Sequence, residues 1–211
     1  MKFSKHIFLL IFALFLFAKL FSQVNTLKKT NSAFVLKTDI LSPIIFNISD
    51  YILPNFSITC EKFIKKRHSI QLTGLYAWFD KKSGYKGQTK GQIFEIIPDY
   101  KFYLSRKKMQ KGFYIGAYAK YIRNHTIDEE QGPYPYSPMM YLEYIEHETA
   151  FGGLTGYQFY IKKRLVIDFL LGFGRAQLYK VDIIKKEHIQ FSDDYSGYLD
   201  AQFAINIGYK F

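Results

Sequence analysis

The sequence predicts an all-β chain folded as an eight-stranded antiparallel, up-and-down transmembrane β-barrel. Three observations carry this expectation. Residues 196–211 alternate in steps of two, with Leu199, Ala201, Phe203, Ile205, Ile207, Tyr209 and Phe211 on one face and mostly polar residues, Asp200 among them, on the other. Earlier segments repeat that alternation of oily and polar positions at a strand-like rhythm. The connections between segments are alternately long and short, the pattern of a membrane barrel with tight turns on one side and larger loops on the other.

The first strand is expected at 33–42, where Phe34, Leu36, Thr38 and Ile40 oppose Lys37 and Asp39. Pro43 and Pro54 bracket the loop to the second strand, 55–63, which sets Phe56, Ile58 and Cys60 against Ser57, Thr59 and Glu61. A short basic turn, Lys65 to His68, leads to the third, 69–79, with Ile70, Leu72, Tyr76 and Trp78 against Ser69, Gln71, Thr73 and Ala77. Residues 80–91, rich in Lys and Gly, read as a loop. The fourth strand, 92–105, has Phe94, Ile96, Tyr100, Phe102 and Leu104 opposite Glu95, Asp99, Lys101 and Tyr103. Pro98 donates no ladder hydrogen bond, so a bulge or local distortion is expected there.

A second basic turn, 106–112, precedes the fifth strand, 113–126, with Phe113, Ile115, Ala117, Ala119 and Tyr121 opposite Tyr114, Gly116, Tyr118 and Lys120. Residues 127–148, with Pro133, Pro135 and Pro138, form the longest expected loop. In the sixth strand, 149–161, Phe151, Tyr157, Phe159 and Ile161 point outward and Ala150, Gly152, Gly156 and Gln158 inward. A third basic turn, Lys162 to Arg164, leads to the seventh, 165–181, whose Leu165, Ile167, Phe169, Leu171 and Phe173 oppose Asp168, Gly172, Gly174 and Lys180. A loop over 182–195 completes the series.

Composition agrees with this class. Aromatic residues make up 19% of the 211, as the interfacial girdles of a membrane barrel require. The mean hydropathy of −0.11 is no objection, because lipid-facing and lumen-facing residues alternate and average out. The one long apolar run, 7–18, follows Lys2, Lys5 and His6 and precedes Lys19. It is too short for a membrane-spanning helix and fits a secretory signal peptide over 1–22, cut near Ser22, leaving 23–211 as the barrel. No Cys stands just after the run, which argues against lipoprotein processing, and the lone Cys60 forms no internal bridge. Loss of the three leader lysines from a formal charge of +11 leaves a basic chain. Its cations gather at turns, so nucleic acid is not an expected partner.

With the oily face toward lipid, Lys37, Asp39, Glu61, Glu95, Asp99, Lys101, Lys120, Asp168 and Asp200 line the lumen. An eight-stranded interior is just wide enough for side chains to fill, so these groups are expected to form a structural core of hydrogen-bonded ion pairs. In the longest loop, Tyr134, Tyr136, Tyr141 and Tyr144 form a candidate contact surface for an extracellular ligand or protein. Membrane lipid is the expected partner of the outer wall, and the barrel-assembly machinery the expected partner during insertion.

No catalytic residue, metal or cofactor is expected. A lipid-modifying barrel enzyme is the alternative, built on His125 and His147 with Ser137, Glu146 and Glu148. The spacing of Glu143, Glu146, His147 and Glu148 is irregular for a metal site, and Ser83 to Lys86 matches Ser-x-x-Lys only formally. A soluble lipocalin-like ligand carrier has the same strand count but demands inverted faces.

Three blocks carry a resemblance: Lys37-Thr38-Asp39-Ile40-Leu41-Ser42, Cys60-Glu61, and Ile97-Pro98-Asp99-Tyr100-Lys101-Phe102-Tyr103. Together they resemble an outer-membrane barrel family of unknown function, common in Bacteroidota. That family more often has Lys-Thr-Asn, an aromatic before Glu, and Pro-Glu-aromatic-Arg, where this chain has Asp39, Cys60 and Lys101. The resemblance implies a barrel located in the outer membrane of a Gram-negative cell, and it implies no activity.

Overall fold

A computed structural model describes residues 34–40, 55–83, 87–105, 110–131, 139–162, 164–187 and 197–211. These residues form eight strands: β1 (Phe34–Asp39), β2 (Asn55–Lys65), β3 (His68–Ser83), β4 (Gly87–Tyr103), β5 (Gly112–Gln131), β6 (Met139–Ile161), β7 (Leu165–Glu187) and β8 (Gly197–Lys210). Each strand pairs antiparallel with the next, and β1 pairs with β8, so the sheet closes into a barrel. Closure satisfies the edge hydrogen bonds that an open sheet would leave free. Among the described residues there is no helix.

The two faces divide as their period-two alternation requires. Leu199, Phe151 and Phe113 are 74%, 67% and 63% exposed on the outer wall, while Lys37, Glu61, Lys101 and Asp168 are buried inside. A soluble ligand carrier would have the reverse arrangement, and Phe203 and Phe169 are exposed on the outside. The interior is not purely polar: Val35, Phe63, Ile97, Leu154 and Val166 pack there with Tyr103, Tyr114 and Tyr118.

Three expected loops need correction. Residues 80–83 and 87–90 continue β3 and β4 as a paired hairpin, down to Ser83 opposite Gly87. Most of 127–148 is also strand, with β5 and β6 paired out to Gln131 opposite Met139. β7 likewise runs on to Glu187. In these upper parts polar and apolar residues mix without a period-two contrast, Leu142 buried and Ile183 and Ile184 exposed, so the signal that marks a strand in sequence is lost although the backbone pairing continues. At the opposite end, here called the turn end, β2 and β3 are joined through Lys66 and Arg67.

Pro98 produces no bulge. Its pairing with Leu72 of β3 is in continuous register, and the β4–β5 register is the same on either side, from Ile96 opposite Tyr121 to Asp99 opposite Tyr118. Only the rungs at Ile97 and Pro98 drop out on the β5 side, a local gap in the ladder. Register shifts occur elsewhere, between β2 and β3 at Phe63/Lys65 and between β6 and β7 at Glu143/Tyr144 and at His147/Glu148. The shift at His147/Glu148 leaves Tyr179 without an opposite residue and pairs Lys180 with His147. Lys180 was expected on the lumen face; beyond that bulge it stands on the outside, paired with Asp182 at 2.7 Å.

Candidate functional site in the barrel lumen

Lys37 projects from β1 into the centre of a buried cluster. Its Nζ donates to Asp168 Oδ2 at 2.6 Å, Gln158 Oε1 at 2.7 Å and Gln71 Oε1 at 3.2 Å. The same ammonium forms an ion pair with Glu61 Oε2 at 2.6 Å, so four acceptors crowd its three N–H groups. Lys101 supplies a second cation to Asp168 at 2.8 Å, and Tyr114 donates to the other Asp168 oxygen at 2.7 Å. Glu61 Oε1 accepts from Ser69 at 2.6 Å and Tyr103 at 2.8 Å. Strands β1, β2, β3, β4, β5, β6 and β7 all contribute a group to this one network.

A second cluster sits nearer the loop end. Asp200 of β8 accepts from Tyr118 at 2.6 Å and from Lys120 at 2.8 Å, both on β5. Glu95 faces the same region, with Lys120, Asp200 and Glu148 as its electrostatic neighbours. Tyr198 donates to Glu148. Between the clusters lies Asp99, whose Oδ2 accepts from Gln71 at 2.8 Å while its buried Oδ1 meets no donor. The fully or nearly buried charges comprise three lysines and four carboxylates, so one carboxylate lacks a cation of its own.

Asp39 takes a different part. It lies where β1 ends, and its Oδ1 accepts from the Ile205 amide of β8 at 3.1 Å while its own amide donates to Ser57 Oγ at 3.0 Å. It pins the end of a short strand to both neighbours. Sequence reasoning assigns no role to the tyrosines and glutamines of the network, although it sets Tyr103, Tyr114, Tyr118, Gln71 and Gln158 on the inner face. Their signal is that parity: an aromatic with a hydroxyl on the polar face of a strand has a donor to aim at a carboxylate.

Glycines make room for two of these rings. A Cβ at Gly156 would collide with the Tyr114 hydroxyl, and one at Gly152 would lie 2.5 Å from the Tyr118 ring. The rings therefore lie flat against bare backbone of β6, which aims their hydroxyls at Asp168 and Asp200.

The other candidate residues do not assemble into a site. Tyr134, Tyr136 and Ser137, residues 84–86 of the Ser-x-x-Lys match, and the expected leader 1–22 lie outside the described residues. Tyr141 and Tyr144 are on β6 instead of a loop, and their odd and even positions put them on opposite faces. Tyr141 donates to Glu143 at 3.0 Å. His125 and His147 point outward, at 3.0 Å from Glu143 and 2.8 Å from the Tyr121 hydroxyl respectively. Glu146 and Glu148 point inward, where Asn124 donates to Glu146 at 2.9 Å. The barrel wall thus separates the two histidines from those carboxylates, and it divides Glu143 and His147 from Glu146 and Glu148 in the same way. Among the described residues no cluster of His, Cys, Asp or Glu could hold a metal ion.

Outside the lumen, the Glu143 carboxyl is held below its ordinary range by hydrogen bonds from His125 and Tyr141. Asp182 is held down in the same way, by Lys180 first and also by His147.

Comparison with known proteins adds a family. Among curated proteins none matches the chain. Among solved structures, Neisserial surface protein A (NspA) matches at 10% identity and a TM-score of 0.40, over 85% of this chain and 95% of that one. A family model described as a protein of unknown function (DUF3575) matches residues 11–211. Because that match takes in every strand of the barrel and the lumen groups they carry, the chain belongs to the DUF3575 family of proteins of unknown function.

Proposed function

We propose that the protein is an outer-membrane β-barrel without catalytic chemistry, its lumen plugged by the ion-pair network and its loop end available for surface contacts. The observation that carries this reading is the inversion of an ordinary protein interior: large apolar side chains are exposed around the wall, and charged ones are sealed within it. In water such a belt would drive aggregation, whereas in a bilayer it is the stable arrangement. A tilted strand crosses the hydrocarbon in about 9–11 residues, yet β6 and β7 have 23 residues each. On this reading their upper halves stand clear of the membrane and carry the extracellular contact surface, where Tyr141 lies. Export by a cleaved leader over 1–22, insertion by the barrel-assembly machinery and both termini on the periplasmic side complete the proposal. Nucleic acid has no place in it.

The test is direct. Outer-membrane fractions are solubilised in mild detergent and run on a gel with and without boiling. A folded barrel migrates differently from its boiled form and stays with the membrane pellet through carbonate washing. Recovery in the soluble periplasmic fraction with one unchanging mobility would refute the reading.

A further inference from the structure

We infer that the outer wall holds a phospholipid at a fixed site, with an acyl chain in a groove across β1 to β5 and the phosphate at Lys62 and Arg67. This inference rests on the membrane reading above. The groove is a hollow of about 580 Å³ lined mainly by outward apolar residues of β1 to β5, with Lys62 at its edge and the inner-face residues Gln71, Asp99 and Tyr118 also part of its lining. The ladder shows how it is built. One row of outward positions runs Phe34, Lys62, Ile70, Tyr100, Ala117. The next row up runs Leu36, Cys60, Leu72, Pro98, and Ala119 continues it past the gap in the ladder. Small side chains at Cys60, Pro98, Ala117 and Ala119 form the floor, and the larger neighbours form the walls.

The dimensions and charge both select the occupant. Five strands span four inter-strand spacings of about 4.8 Å, roughly 19 Å, and half a hydrocarbon core is about 15 Å deep, so one acyl chain laid obliquely fills the length. Lys62 is exposed and has no ion-pair partner among the described residues. Just below, toward the turn end, Arg67 stacks 4.5 Å from the Phe102 ring centroid while its Nε and Nη2 donate to the Tyr103 and Leu104 carbonyl oxygens, and His68 Nδ1 lies 2.5 Å from the Tyr100 hydroxyl. Cations and a polar aromatic thus border an apolar trough on the side where the membrane interface would lie, which is the complement of a phosphate joined to a fatty chain. A protein segment of ordinary composition would not place all of its charge at one edge.

The test uses the protein refolded into vesicles of palmitoyl-oleoyl phosphatidylethanolamine and phosphatidylglycerol, released in mild detergent and weighed by native mass spectrometry. One phospholipid should remain bound at collision energies that strip the rest. Ala119→Phe, which fills the groove, should lower the retained fraction about tenfold, and Lys62→Gln about fivefold. Ala201→Phe, outward on β8 and outside the groove, should leave it unchanged. Equal retention by all four proteins, equal loss in the Ala201→Phe control, or a dimer mass that disappears with Ala119→Phe would overturn the inference; the last result would assign the groove to a second copy. Vesicle flotation and the boiled-gel shift are recorded on the same samples. Failure there sinks the membrane reading and the groove together, whereas failure of the mass measurement alone sinks only the groove.

Discussion

At the level of single residues, the lumen makes sharply different demands on chemically similar groups. Asp168 receives two ammonium groups and a tyrosine hydroxyl, whereas Asp99 has an oxygen with no donor at all. Breaking a buried pair from one side strands the partner charge. Lys37→Met should therefore cost about 3–5 kcal/mol, measured by urea unfolding in lipid vesicles, because it removes the cation paired with Glu61 and one of the two paired with Asp168. Asp99→Asn should cost less than about 1 kcal/mol, since the amide oxygen can still accept from Gln71 and no cation is abandoned. Equal losses in the two variants would contradict this account of the network. Gly156→Ala tests the close approach at this position: its methyl group would collide with both the Phe169 carbonyl oxygen and the Tyr114 hydroxyl, so β7 backbone and ring must both give way, at an overpacking cost of about 1–3 kcal/mol in the same assay.

Among the elements, the division between legible and illegible follows the solvent. Within the wall each strand meets an apolar medium on one side and a polar core on the other, so Phe203, Ile205 and Ile207 against Asp200, Gln202 and Asn206 announce β8 in the sequence. Along 80–90, 127–148 and 182–187 no such contrast exists, and paired strand reads as loop. Lys180 is misplaced for a related reason. A bulge at Tyr179 shifts the face of everything beyond it, and no single-sequence pattern marks where the extra residue falls. The lumen carboxylates and lysines are legible because charges that recur opposite an oily face, with both signs present, can only neutralise one another inside a closed sheet. The separation of His125 and His147 from Glu146 and Glu148 is not, because it depends on β6 being a strand there at all.

The extended upper parts of β5, β6 and β7 also give the molecule an acid-sensitive part. Glu143 and Asp182 have folded-state pKa values below their ordinary 4.5 and 3.8. Groups lowered in this way contribute stability that is complete above the ordinary value and is lost as pH falls through the lowered one. Amide hydrogen exchange followed from pH 6 down to about pH 3 should thus show protection fading first around His125, Glu143 and Asp182. The wall should remain protected over that range, and uniform loss along β6 would contradict the assignment.

For the whole molecule, the arrangement amounts to a protein turned inside out, and its stability depends on the medium. Phe169→Lys places a charge on the apolar belt and should cost about 2–4 kcal/mol if the site lies near the midplane, whereas Leu199→Lys, toward the loop end, should cost about 0–1 kcal/mol. Both are read by reversible unfolding in vesicles. In detergent-free buffer the two substitutions should instead improve solubility.

The six residues of β1 have one further consequence. All other neighbours can zip up as hairpins joined by nearby sequence, but β1 must find β8 from the far end of the chain, and only Val35 to Asp39 meet Lys210 to Asn206. Such a long-range closure is slow, so the β1–β8 seam should be the last joint made during assembly, with amide protection at Val35 to Asp39 appearing after that of β3 to β7 when refolding into vesicles is followed by pulsed hydrogen exchange.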